Sequence, residues 1–162
     1  QGKTSLDANM TPATKTDTKK ILIIDDDPDF AESLSLTLQR NRTFDIQCVT
    51  DSPGARAAAL AFKPHLILLD VMMEKLSGTD VYFLFQREGA LKTVPVVVLS
   101  ALVEDYDAKS GVGMGLLRRL PRLPKPFQLN TLLEVIDEQL VKAETKRRVG
   151  RPRKKQVAKA IA

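Results

Sequence analysis

Apolar residues come in short blocks that stop at acidic or turn residues, and stretches of helical period separate the blocks. The first block, Ile21-Leu22-Ile23-Ile24, ends on Asp25-Asp26-Asp27 and predicts a strand over 21–25. Asp27-Pro28 then has the form of a helix start, Asp as cap and Pro at the first helical position. Phe30, Leu34 and Leu38 supply the stripe of that helix, with Leu36 at its flank. A second strand is predicted over 45–50. After Ser52-Pro53 comes an alanine-rich helix over 56–62, small enough on one face to lie close to a sheet, and Pro64 stops it. The third strand, 65–70, is almost wholly apolar, as expected where both faces of a parallel sheet are covered. A turn at Leu76-Ser77-Gly78 leads to a helix over 79–88, and Pro95 opens a fourth strand over 96–100.

The later chain is harder to parse. A short helix is expected over 103–109, and the glycines of 111–115 prevent its continuation. The fifth strand must fall within 116–123, where Pro121 argues for an edge position. An amphipathic helix follows over 129–140. Five alternations of strand and helix define a doubly wound α/β sheet. The pattern divides the chain into a disordered segment 1–18, a domain 19–141 and a disordered basic tail 142–162.

The acidic residues change the picture most. Asp25 and Asp26 stand where strand one stops, and Asp70 stands where Leu66-Ile67-Leu68-Leu69 stops. In open α/β folds the carboxyl ends of the strands are where ligand sites form. Carboxylates converging there from neighbouring strands repel one another and call for a divalent cation, with Lys125 of Lys125-Pro126-Phe127 to balance the remaining charge. An oxygen-lined cation site beside one nucleophilic carboxylate is a phosphoryl-acceptor site. Asp27 reads as a helix cap and not a ligand. His65 lies at the far end of its strand from Asp70 and reads as a packing residue, as does Cys48, a buried strand thiol. The glycines of 111–115 follow no predicted strand and are not expected to form a phosphate cradle.

From Lys20 to Leu140 the chain resembles the receiver domain of bacterial two-component response regulators. The resemblance rests on Asp25-Asp26, Asp70, Ser100-Ala101 and Lys125-Pro126-Phe127 in order, with 44 residues from Asp26 to Asp70 and 30 from Asp70 to Ser100. It implies a flavodoxin-like (βα)5 fold with strand order 2-1-3-4-5. It further implies Asp70 as phosphoacceptor from a sensor histidine kinase or histidine phosphotransfer protein. Mg²⁺ would be held by Asp25, Asp26, Asp70 and the backbone carbonyl of Met72, while Ser100 and Lys125 would contact the phosphoryl group. Such a domain is a phosphoacceptor with slow self-dephosphorylation, not an enzyme on an external substrate. An external phosphatase would need an acid two residues beyond Asp70, where Met72 stands. Two departures bear on signal output: Arg122 replaces the aromatic residue common three positions before the lysine, and the Ser100–Lys125 interval is long. Both concern how activation reaches the surface, and with it homodimer formation on activation.

The net charge of +5 is unevenly placed. From Lys142 onward nine Lys/Arg face only Glu144, giving +8 and leaving −3 for the rest. This asymmetry points to a polyanionic partner for the tail. Arg147, Arg148, Gly150, Arg151, Pro152, Arg153, Lys154 and Lys155 resemble an AT-hook, a thin basic segment lying in the minor groove of A·T-rich DNA. The alternative is a stand-alone phosphotransfer or docking receiver that acts through a partner protein without DNA. No apolar run approaches the ~20 residues needed to span a bilayer, so no membrane partner is expected. The expected location is the bacterial cytoplasm, on the nucleoid if the tail binds DNA.

Overall fold

The structure, a computed structural model, describes residues 18–100 and 117–150. Five strands form one parallel sheet, in the order β2-β1-β3-β4-β5: β1 (Lys19–Ile24), β2 (Phe44–Val49), β3 (Leu66–Asp70), β4 (Val96–Ser100) and β5 (Arg122–Pro124). The described helices are α1 (Pro28–Asn41), α2 (Ala55–Phe62), α3 (Gly78–Gln86) and α4 (Leu129–Val149), and one 3₁₀ turn (Ser52–Gly54) precedes α2.

The strand period of two decides which layer each residue joins. Ile21 and Ile23 point to the layer holding Ala31, Leu34 and Leu38 of α1 and Leu132, Ile136 and Leu140 of α4. Leu22 and Ile24 point to the other, with Ala55 and Ala59 of α2 and Val81 and Phe85 of α3. β3 and β4 are buried along their whole length, which explains why they read as unbroken apolar runs. Ala55 and Ala59, both fully buried, let α2 approach the sheet closely.

Three expectations are corrected. The fifth strand is only three residues long, because a helical turn closed by Leu120 N–H to the Leu117 carbonyl occupies the start of the expected segment. Cys48 is exposed: β2 is an edge strand and only partly covered. The last helix does not end at Leu140 and give way to a disordered tail at Lys142; it continues to Val149. Ala143, Glu144, Lys146, Arg147 and Arg148 are strong helix formers. Lys142 pairs with Glu138 one turn back at 2.6 Å, and Glu144 with Lys19 of β1 at 2.6 Å. Cations in the last turn also suit the negative end of the helix dipole. The helix expected over 103–109 and the glycines of 111–115 lie outside the described residues. No described helix is long and apolar enough to cross a membrane.

Candidate functional site: an acidic pocket at the carboxyl edge of the sheet

β1 and β3 are neighbours, so the residues at their carboxyl ends meet. Asp25, Asp26 and Asp70 each offer an oxygen within 4.8 Å of the other two. Asp25 and Asp70 are only 1% and 5% exposed, so their charges have little water to screen them. Burial is the main cause that lifts the Asp70 carboxyl to about 6. Lys125 opposes that rise, Asp25 adds to it, and the Met72 backbone N–H, bonded to Asp70, opposes it.

Lys125 answers part of this charge. Its Nζ lies 2.6 Å from Asp25 Oδ2 and 3.4 Å from Asp70 Oδ1, so it sits closer to Asp25 than to the expected acceptor. The ammonium also sits 4.0 Å above the centre of the Phe30 ring, and Phe30 packs edge-on against Phe127 at 6.2 Å. These two phenylalanines steady the lysine, a contact not foreseen from sequence, which placed Phe30 in a helix stripe and Phe127 in a motif. Phe127 directly follows Lys125-Pro126, and Phe30 is the partly buried member of the α1 stripe. The backbone N–H of Lys125 donates to the Ser100 carbonyl at 2.7 Å, which joins the lysine to the end of β4. Ser100 is itself buried.

The surrounding loops are fastened to the same carboxylates. Asp26 Oδ2 accepts from Glu74 N–H at 2.9 Å, and Asp25 Oδ1 accepts from Asp27 N–H at 3.0 Å. Ser52 Oγ accepts from Leu76 N–H at 2.9 Å, and Lys75 reaches Asp51 at 2.6 Å. A cavity of about 330 Å³ opens beside Asp26 and Asp27, lined also by Thr50, Ser52, Glu74 and Lys75. Gly78 was read from sequence only as part of a turn. A Cβ there would stand 2.3 Å from the Asp70 carbonyl oxygen and 2.8 Å from Val71 Cα, so α3 starts against the backbone that carries Asp70.

Asp27 is a helix cap: its Oδ1 accepts from the N–H groups of Asp29 and Phe30, both at 3.1 Å. Asp27→Ala is therefore expected to cost about 1 kcal/mol in urea unfolding. Magnesium affinity, followed by titration, should stay at the wild-type value; a tenfold loss would make Asp27 a ligand. His65 also has a structural part, its Nδ1 accepting from Lys20 N–H at 2.9 Å.

The acidic set suits Mg²⁺. Oxygens around such an ion are about 3 Å apart when adjacent and about 4.2 Å when opposite, so the three carboxylates, within 4.8 Å of one another, would draw together on binding it. Three carboxylates against one lysine also leave negative charge for a cation to offset. Of the basic residues assigned to DNA, Arg147 and Arg148 lie on α4 and Gly150 caps it. Arg151, Pro152, Arg153, Lys154 and Lys155 lie outside the described residues.

Strand order 2-1-3-4-5 with an acidic pocket at the carboxyl edge defines a doubly wound α/β domain of the CheY-like kind. Residues 21–137 match the family described as the response regulator receiver domain, and the chain belongs to that family. It is 33% identical over 114 residues to the DNA-binding dual master transcriptional regulator RpaA of Synechocystis, covering 70% of this chain and 46% of RpaA. It is 34% identical over 97 residues to the DNA-binding response regulator MtrA of Mycolicibacterium smegmatis, covering 60% of this chain and 41% of MtrA. The chain thus spans less than half the length of these relatives. Among solved structures, the receiver domain of the sensor histidine kinase PA1611 from Pseudomonas aeruginosa shares the fold, with a TM-score of 0.66 and 20% identity over 76% of this chain and 98% of that one. That structure carries a magnesium ion coordinated in its active-site cleft.

Proposed function

We propose that this chain is the phosphoacceptor of a two-component relay, modified on Asp70 by a sensor histidine kinase or a histidine phosphotransfer protein, and that its basic C-terminal segment contacts A·T-rich DNA. The observation that carries the first part is the convergence of Asp25, Asp26, Asp70 and Lys125 at one sheet edge.

In this reading an Asp70 carboxylate oxygen attacks phosphorus in line. The P–N bond to the donor imidazole breaks, its electron pair returning to the ring nitrogen. Mg²⁺, when held by Asp25, Asp26, Asp70 and the Met72 carbonyl, supplies charge neutralisation at the phosphoryl oxygens. Lys125 must then leave Asp25 and turn toward the new acyl phosphate, a short move from its present 3.4 Å to Asp70. The Ser100 hydroxyl donates to a phosphoryl oxygen. Because the Ser100 carbonyl already holds the Lys125 N–H, β4 and the lysine would shift together. Phosphorylation adds nearly two negative charges, enough to bias a two-state element.

The test is intact-mass measurement after treatment with a small phosphoryl donor and Mg²⁺. Wild type should gain one phosphoryl group and Asp70→Asn none. Uptake by the variant, or none by wild type, would overturn the reading.

The DNA part draws on the names of RpaA and MtrA, both described as DNA-binding, and on the Gly150-Arg151-Pro152 segment. One observation favours the second reading, a docking or phosphotransfer receiver without DNA. Arg147 and Arg148 are helical, where a minor-groove segment is extended. In that reading the full chain shifts no A·T-rich duplex at physiological salt.

A further inference from the structure

The other end of the sheet carries a second charged feature. A cleft of about 570 Å³ lies at the amino ends of β4 and β5, between the segment 92–95, the turn at 119–121 and the late half of α4. Five of its lining residues are cations, Lys92, Arg119, Lys142, Lys146 and Arg147, and none is a carboxylate. All five are exposed. Glu138, one turn before Lys142, offsets a single charge, so the cleft remains about four positive.

Helical spacing explains the arrangement. The apolar face of α4 ends at Leu140, and past that point the helix no longer covers the core. Gln139, Lys142, Ala143, Lys146 and Arg147 follow at three- and four-residue steps and line the cleft together. The negative helix end nearby reduces the potential, but by only about half a charge.

We propose that this cleft is a second DNA contact, borne by the receiver domain itself, which takes duplex phosphates next to the groove occupied by the C-terminal segment. This rests on the reading of that segment as DNA-binding. DNA is favoured over a small anion because the run of cations continues in the sequence through Arg151, Arg153, Lys154 and Lys155. From Lys142 to Val149 the helix rises about 10 Å, which sets the cations along a line and not around one point. The cleft and Asp70 lie at opposite ends of the parallel strands, so both can be engaged at once.

Affinity for a fluorescent A·T-rich duplex, measured over a range of salt with the full chain, tests this. Lys92→Glu/Arg119→Glu should weaken binding roughly ten- to fiftyfold at 0.1 M salt and lower the log–log salt slope by about 2. Lys92→Gln/Arg119→Gln should give a smaller loss in the same direction. Thermal unfolding and phosphoryl uptake at Asp70 should match wild type in both variants, as a check on folding. Arg151→Ala/Arg153→Ala provides the separate arm. If the cleft variants bind like wild type while this one is weak, the cleft proposal is overturned and the segment reading stands. If this one binds like wild type while the cleft variants are weak, the segment reading fails, and the placement of the cleft beside the segment's groove falls with it. Absence of wild-type binding overturns both. Stabilisation by inorganic tripolyphosphate that the cleft variants lose, with DNA affinity unchanged, would assign the cleft to a small anion and overturn the proposal.

Discussion

Asp70→Asn is expected to make the metal-free protein more stable at neutral pH, although it removes the proposed acceptor. The Asp70 carboxyl is lifted from 3.8 to about 6, chiefly by burial. A raised carboxyl means that the native state holds its proton more tightly than the unfolded chain does. Between pH 4 and 6 the native state thus binds more protons, and its stability falls as pH rises. At about 1.4 kcal/mol per pH unit the penalty at pH 7 is at most about 3 kcal/mol. Asparagine carries no charge to desolvate, and Lys125 keeps Asp25 at 2.6 Å in the variant. Urea unfolding without metal should show the variant ahead by about 1–3 kcal/mol at pH 7 and level with wild type near pH 4. Saturating Mg²⁺ should reverse the order, because a ligand that binds only the folded state stabilises it by mass action. Equal stability at pH 7 without metal would mean that Lys125 already offsets the buried charge.

The second large effect is expected at Gly78. Adding one methyl group there places carbon 2.3 Å from a backbone oxygen and 2.8 Å from a backbone carbon, and neither can yield as a flexible side chain can. Gly78 N–H also donates to the Val71 carbonyl at 3.0 Å, so relief requires breaking the join between β3 and α3. Gly78→Ala should cost roughly 3 kcal/mol or more in chemical unfolding, the upper range for overpacking. The damage falls on the segment that follows Asp70, so magnesium affinity should drop with stability. Ser77→Ala is the comparison: it loses the cap to Asp80 N–H and the hydroxyl's own bond to Asp80 Oδ2, together worth about 1–2 kcal/mol, and should leave the metal site intact. A Gly78→Ala protein as stable as wild type would show that α3 can move away from β3.

The sheet and its pocket were legible in the sequence because two independent signals coincide at each strand end. In β1, β3 and β4 an apolar run fixes the strand, and the polar residue that stops it marks the ligand edge. Asp25, Asp70 and Ser100 were found this way, and each is buried where its strand stops. The lysine was found through its ordered place after them. Other features depend on contacts that no local pattern records. Gly78 looks like any turn glycine until the backbone of β3 is placed against it. The length of α4 is governed partly by Glu144 meeting Lys19, 125 residues away in sequence. The basic run masked the helical propensity of 142–149, since a string of cations reads as solvated chain. β5 was displaced because its expected start is used by a turn packed through Leu117. Cys48 was misjudged because an apolar-looking strand was assumed to be covered, and an edge strand is covered only in part.

That misplaced thiol has a practical use. Cys48 is the chain's one sulfhydryl, so a maleimide dye attaches at a single address without any substitution. Partial desolvation raises the thiol's ionisation point, so coupling calls for mildly alkaline buffer. From the β2 flank, such a dye would report by energy transfer on labelled oligonucleotide arriving beyond the β5 flank, in an otherwise native molecule.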